Sequence, residues 1–417
     1  MNRKDTELAI IGAGAAGLSA AAVTAAAGCH TLVIDREDFP GGILRQCIHN
    51  GFGLRYFKKE LTGPEYAERI TQKAVHAGAE LFLGATVMEI NRQEDGSFEL
   101  PVMSAKEGLT LVHAEKILLA MGCRERTRSS IATPGTRPAG IFTAGTAQRL
   151  LNMEGKLPGT RAVIVGSGDI GLIMARRLRW CGIEVEAVVE IMPHPAGLTR
   201  NIVQCLEDFS IPLYLSHSVV NILGTRRVTG VDVAPVENGV PVMEKVFRIP
   251  CDTILFSVGL VPEMELAVQA GVKLNPATNG AFVNASYQTG VPGIFSAGNV
   301  LHVHDLVDCV SAEAERAARA ILDDFTAGTD PVEESPILPG SNLKYAVPNR
   351  YFHNRKTLVS FRPLISADSA VLTAELNGKK ILSKKLQFVR PAEMLQIEMD
   401  GTLLTGGELV FHLQEYR

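Results

Sequence analysis

Short apolar runs that stop at a glycine or an acid set the rhythm of this chain. Residues 8–11 and 162–165 hold no polar position at all, as parallel strands buried on both faces require. Each run enters a glycine-rich turn and then a stretch with helical spacing. A second strand-like run, 31–34 or 185–189, closes each unit at an acid, Asp35 or Glu190. Elsewhere residues 64–77 have helical periodicity, while 80–90, 116–120 and 253–258 read as strands. Residues 135–145 read as a loop-rich crossover, and 306–323 predict a helix that returns the chain to its first domain. Past Pro336 the pattern becomes β-like, with Asn377-Gly378 and Asp400-Gly401 each predicting a hairpin turn.

The turns carry the chemistry. Gly12-Ala13-Gly14-Ala15-Ala16-Gly17 and Gly166-Ser167-Gly168-Asp169-Ile170-Gly171 share the spacing of a dinucleotide fingerprint. The first glycine allows a tight turn, the second lets backbone N–H groups approach a pyrophosphate, and the third lets helix and strand pack closely. The helix that follows points its unpaired N–H donors at the phosphates. An acid about 20 residues on accepts hydrogen bonds from ribose hydroxyls. One such motif is weak evidence; two, each in a full strand–turn–helix–strand–acid setting, predict a protein holding two dinucleotides. Glu190, with no arginine beside it in residues 191–193, favours NAD over NADP, because a carboxylate there repels a 2′-phosphate.

Composition narrows the class. A chain of 417 residues is expected to form more than one domain. A net charge of −4 supplies no field for nucleic acid, so no nucleic-acid partner is expected. The uncharged stretch 8–29 is long enough to span a bilayer. Its β-rich start, three spaced glycines and alanine-rich remainder read instead as strand, turn and helix, so no integral membrane segment is expected. Seven dispersed cysteines fit a reducing cytoplasm, and no two are near enough for Cys-x-x-Cys, a ferredoxin-type cluster or a local zinc knuckle. The expected carriers are therefore organic.

Taken in order, the first fingerprint with Asp35, the run 118–122, the second fingerprint with Glu190, the segment 256–262 and Gly293-Ile294-Phe295-Ser296-Ala297-Gly298-Asn299 resemble the pyridine nucleotide-disulfide oxidoreductase superfamily. The resemblance covers roughly residues 7–325. It implies an α/β fold of two Rossmann-like dinucleotide-binding domains: an FAD domain (1–125 and 285–335), an inserted NAD domain (126–284), and a small β-rich C-terminal domain (336–417). It implies FAD contacts at Gly12, Gly14, Ala15, Ala16, Gly17, Asp35, Arg36, Gly41, Gly42, Val87, Ala120, Met121, Gly122, Gly298, Asn299, Asp305 and Leu306. NAD contacts are implied at Gly166, Ser167, Gly168, Asp169, Ile170, Gly171, Glu190 and Gly259. Asn299 stands where the family usually has Asp, and retains hydrogen bonding to a ribityl hydroxyl.

Departures from the pattern also inform. The paired redox cysteines of the superfamily's disulfide reductases are missing, which disfavours disulfide reduction. Residues 41–51, 122–126 and 298–308 resemble FAD subunits of bacterial amino-acid and opine dehydrogenase complexes, and the flavoprotein that accompanies anaerobic glycerol-3-phosphate dehydrogenase-like proteins. That implies a second dehydrogenase subunit or electron-transfer partner, with a homo-oligomer as another arrangement. Two alternatives stay open: a non-catalytic FAD/NAD-binding assembly subunit, and a single-cysteine NADH oxidase or peroxidase using Cys47. His304 is the other candidate catalytic group. His302, His304, Asp305 and Asp308 form a dense ionisable cluster that hydrogen bonding in a loop entering a helix explains without a metal. Arg124, Glu125 and Arg126 read either as phosphate ligands or as a solvated charge run.

Overall fold

The computed structural model describes residues 2–326 and 333–416. The chain divides into two compact units, residues 1–123 with 262–417, and residues 124–261. Residues 262–284, expected in the inserted domain, cluster with the first unit instead. Their apolar side chains Met264, Ala267, Val272, Ala281 and Val283 are buried in that unit's core. Residues 327–332, inside the expected FAD-domain boundary, lie outside the described residues.

In the first unit, strand Asn2–Ile11 lies between Thr31–Asp35 and Gly108–Leu119, both parallel to it, and Glu80–Leu83 extends the sheet beyond Thr31–Asp35. Leu8, Ala9 and Ile10 have no exposed surface, which is why that run could carry no polar residue. Gly108–Leu119 serves two partners. Its first part forms an antiparallel hairpin with Phe98–Ser104, and its last three residues pair in parallel with Ile294–Ser296. That pairing brings the late glycine motif to the C-terminal end of the sheet, where α/β ligand sites form. Helix Ala15–Ala26 is rich in alanine because it is buried almost all round. Helix Gly63–His76 is amphipathic, starts with a Thr62–Glu65 capping box, and buries Tyr66, Ala67, Ile70 and Ala74.

The second unit holds a five-stranded parallel sheet in the order Ile141–Thr143, Thr253–Phe256, Arg161–Val165, Glu184–Val189, Leu213–Tyr214. One face packs on Leu172, Ala175 and Leu178 of helix Asp169–Trp180. The other packs on the antiparallel strands His217–Gly224, Val228–Glu237 and Phe247–Ile249.

The C-terminal segment folds as two β-sheets around Tyr351, Val359, Phe361, Leu372, Ile397 and Phe411. Strand Lys379–Val389 forms one edge and pairs with Ala367–Leu376. The hairpin expected at Asn377-Gly378 is present, with positive φ at both turn residues, as a type I′ turn needs. The hairpin expected at Asp400-Gly401 is not. Leu395–Met399 pairs instead with Thr357–Pro363, and Asp400 caps a short 3-10 turn by accepting from Thr402 N.

Within the first unit this segment is tied down by specific bonds. Arg362 forms an ion pair of 2.7 Å with Asp305 and donates to Val303 O at 3.0 Å. Met394 N donates to Asp305 at 2.6 Å, and Asn349 exchanges two bonds with Val283. The Arg362–Asp305 pair is largely shielded from water, so Arg362→Met, which leaves the carboxylate uncompensated, is expected to cost about 3 kcal/mol. Urea unfolding checks this; an unchanged midpoint would mean the pair contributes nothing.

Candidate functional site

Both fingerprints adopt one geometry. In the first, Ala13 N donates to Asp35 Oδ2 at 2.6 Å and Glu37 N to Asp35 Oδ1 at 2.8 Å. In the second, Ser167 N donates to Glu190 Oε2 and Met192 N to Glu190 Oε1, both at 2.9 Å. Gly12 N and Gly166 N each donate, at 2.8 Å, to the residue before the acid, Ile34 O and Val189 O. Gly12 has φ +112° and Gly166 φ +90°, and a Cβ on either would collide with a carbonyl of the neighbouring strand end, Ala120 O or Ser257 O. Gly17 and Gly171 have no room for a side chain against Gly12 O and the Ser257 side chain respectively. Gly14 faces open space, and Gly168 is only in ordinary-to-tight contact with Ser257, so both turns leave their backbone accessible.

Around the first turn lies a cavity of about 330 Å³, lined by Ile11, Gly12, Ile34, Asp35, Arg36, Ala85, Thr86, Val87, Met121, Glu263, Glu265 and Leu266. It stands at the lower end of small-molecule site volumes. Five of the expected contacts, Gly12, Asp35, Arg36, Val87 and Met121, therefore share one wall-to-wall space. Arg36 is exposed and 3.9 Å from Glu263. Ala120 and Gly122 flank Met121, with Ala120 N bonded to Ile11 O. Gly41 and Gly42 also have positive φ; Gly41 N donates to Ala13 O, and a Cβ on Gly42 would sit 3.2 Å from Gly14 Cα. The turn at 41–42 thus abuts the first fingerprint at Ala13 and Gly14, and Ala15 and Ala16 open the helix that follows.

The late motif reaches the same place. Gly298 has φ +79°, and a Cβ there would lie 2.8 Å from the Ala16 Cβ. Asn299 Oδ1 accepts from His304 N at 3.0 Å. Asp305 and Leu306 have partners of their own. The Asp305 carboxylate is taken up by Arg362 and Met394 N, and Leu306 O accepts from Cys309 N in the first turn of helix Val307–Thr326.

In the second unit, the loop after Glu190 is laced to its fingerprint. Ala196 N donates to Ser167 Oγ, while Leu198 N and Asn201 Nδ2 donate to Asp169 Oδ1. Ile170 and Gly171 continue the first turn of helix Asp169–Trp180, and Gly171 N is bonded to Ser257 Oγ. Gly259, with φ +105°, follows Ser257 by two residues and accepts from Arg126 N. Glu125 accepts from Gly145 N at the start of helix Ala144–Asn152, which gives one member of the 124–126 charge run a capping task.

The ionisable cluster expected from residues 302–308 splits. Asp305 turns to Arg362, and Asp308 accepts from Gly53 N and Arg55 N, pinning the 53–55 loop. The two histidines meet a residue the sequence reading missed, Glu313. His302 Nε2 lies 2.8 Å from Glu313 Oε2 and His304 Nε2 3.1 Å from Oε1, and Gly298 N donates to Oε1 at 2.8 Å. Burial would raise the Glu313 carboxyl, but the two imidazoles outweigh it and hold it well below its ordinary value. Burial pushes His302 below the usual imidazole range against the pull of Glu313. The missed signal was an acid on the apolar stripe formed by Val310, Ala314, Ala317 and Ile321.

Cys47 has its Sγ 3.3 Å from Ile43 O, and burial pushes its thiol up to about 12. A thiol so shifted is not a ready thiolate nucleophile. Cys47→Ser is expected to change NADH oxidation less than twofold in a steady-state assay, whereas complete loss of peroxide turnover would restore the peroxidase alternative. Among the described residues no cysteine is joined in a disulfide, and no helix is long and apolar enough to cross a membrane.

Comparison with known proteins agrees with this architecture. The chain is 26% identical over 312 residues to hydrogen cyanide synthase subunit HcnB of Pseudomonas protegens, covering 70% of this chain and 65% of that one. It is 24% identical over 285 residues to one of the subunits of opine oxidase from Agrobacterium tumefaciens, covering 64% and 55%. The chain therefore spans less than two thirds of these relatives' length. Its fold is similar to the crystal structure of T. acidophilum thioredoxin reductase, with TM-score 0.64 at 24% identity, covering 78% of this chain and all of that one. Residues 6–320 match the pyridine nucleotide-disulphide oxidoreductase family, and with three quarters of its length inside that match the chain belongs to this family of oxidoreductases.

Proposed function

We propose that the protein is an FAD-dependent NAD(P)H oxidoreductase that passes hydride between nicotinamide and flavin, as the electron-transfer subunit of a larger dehydrogenase. The observation that carries this reading is the repeated acid–amide geometry: two fingerprints, in two separately packed units, each present a side-chain-free turn, a helix N-terminus and a fixed carboxylate. The glycine cradle and the 330 Å³ cavity beside Asp35 fit the adenosine end of FAD. In this reading the backbone of 12–17 holds the pyrophosphate, Asp35 the ribose, and Gly298 with Asn299 the chain leading to the flavin. Bound flavin supplies the hydride-accepting chemistry; the protein supplies grip, orientation and exclusion of water.

The second site is assigned to NAD. Glu190 is 4% exposed and both its oxygens are fixed, so a 2′-phosphate beside it would meet a carboxylate that cannot turn away. The relatives from hydrogen cyanide synthase and opine oxidase are themselves subunits, which supports a partner chain carrying an organic substrate of amino-acid, opine or glycerol-3-phosphate type. A cytoplasmic setting belongs to the same proposal, on the dispersed cysteines, none of them in a disulfide. Anaerobic addition of NADH to the purified FAD-loaded protein tests it. Bleaching of the flavin absorbance is expected, with NADPH at least tenfold slower; an unchanged spectrum would leave only the assembly-subunit reading.

A further inference from the structure

We propose that Glu313 is the positioning residue of the dinucleotide site in the first unit, a buried carboxylate that, with His302 and His304, fixes the Gly298–Asn299 turn against the first fingerprint and sets how tightly FAD is gripped. The inference rests on the reading of that fingerprint as an FAD site. Glu313 is 1% exposed, and such a carboxylate persists in a protein interior only when hydrogen-bonded on both oxygens. Three donors surround it, and each has a consequence for the turn. Gly298 N binds it directly. His304 binds it through its ring while its backbone N–H holds Asn299 Oδ1, so one residue joins the carboxylate to the side chain at the ligand. His302 fills the other oxygen.

The proton inventory is constrained. With each Nε2–H donating to Glu313, the Nδ1 atoms of both histidines are buried and have no hydrogen-bond partner. In neutral imidazoles these are bare lone pairs. A further proton on the His302 ring would create a buried N–H without an acceptor, which costs more than an unused lone pair. The surrounding charges do not rescue it. Arg362, paired with Asp305 and close to Tyr345, faces His302 and opposes added positive charge there, while Arg316, bonded to Tyr287, faces Glu313. The cluster is therefore built around one carboxylate, with a neutral ring at His302. Because the folded His302 takes its proton less readily than a free imidazole, its contribution to folding stability is complete above about pH 6.5 and falls away below it, while the ring inside the folded protein stays neutral until the pH is lower still.

The same three groups are of metal-ligating type. Their geometry is that of hydrogen bonds: each carboxylate oxygen serves one imidazole, at 2.8 and 3.1 Å, whereas ligands about 2.0 Å from a tetrahedral zinc stand about 3.3 Å from one another.

The test measures FAD affinity of the full chain across pH 5–8, in the wild type, in Glu313→Gln, and in a triple variant with leucine at 302, 304 and 313. The triple variant replaces the polar cluster by apolar groups and keeps the test open if Glu313→Gln fails to fold. Glu313→Gln presents an amide N–H to one of three donors, and is expected to weaken FAD at least tenfold. The wild type is expected to keep its affinity through about pH 6.5 and to lose it only at lower pH, where the folded His302 ring takes a proton, while the triple variant, folded by its thermal transition, binds weakly at every pH. Wild-type affinity and pH profile in both variants would overturn the proposal. So would one equivalent of divalent metal, found in the wild type by elemental analysis and lost in Glu313→Gln. A wild type that takes up no FAD would overturn the underlying reading and this inference together, whereas unaffected variants of an FAD-binding wild type overturn this inference alone.

Discussion

Gly12→Ala is expected to yield colourless protein. At φ +112° an alanine is strained by about 1–3 kcal/mol before it touches anything. Its methyl group would also be driven into Ala120 O, at the end of the neighbouring strand, where backbone cannot yield as a flexible side chain can. Relief requires the turn to move away from Asp35, which is bonded to the next residue, Ala13. The strain and the lost alignment together are worth more than about 3 kcal/mol, or over a hundredfold in FAD affinity. The flavin-to-protein absorbance ratio after purification measures it. A fully yellow variant would remove the first fingerprint from the FAD site.

Gly166→Ala is the complementary case, with an outcome that separates the two sites. Gly166 sits at φ +90° with Ser257 O in the path of a Cβ, so the same strain falls on the second fingerprint. The second unit buries its own cores, formed by residues such as Ile164, Val188 and Leu255 on one face and Val163, Val189 and Phe256 on the other. Damage there is expected to leave FAD content unchanged while anaerobic reduction by NADH slows at least a hundredfold, by the same energetic argument. Stopped-flow absorbance gives the rate. Wild-type reduction would show that nicotinamide binds elsewhere; simultaneous loss of FAD would show that the two units fold as one.

What could be read in the residues, and what could not, follows from the range of the forces involved. The fingerprints were legible because their demands are local: Gly12, Gly17, Gly166 and Gly171 are dictated by backbone atoms a few residues or one strand away. The Asn377-Gly378 hairpin was legible for the same reason, since its two strands adjoin the turn. Asp400-Gly401 carried an equally strong local signal, but the partner of Leu395–Met399 lies some forty residues upstream, in Thr357–Pro363, and tertiary pairing overrode the turn. Asp305 was expected near the flavin because it precedes a helix; its partner Arg362 belongs to a segment that pattern alone assigned to a separate domain. Glu313 left only a faint trace, an acid on the apolar stripe of its helix, and its role became readable only once the fold placed two histidines against it.

The outermost strand of the C-terminal segment, Lys379–Val389, has Ala367–Leu376 on one side only among the described residues. A bare row of peptide groups is a template on which another chain can crystallise into cross-strand aggregates. Lys379, Lys380, Lys384 and Lys385 stand exposed along it, so two such rows brought together would repel at every step. Removing those charges by acetylation, or screening them with high salt, would therefore threaten solubility long before it touched either nucleotide turn.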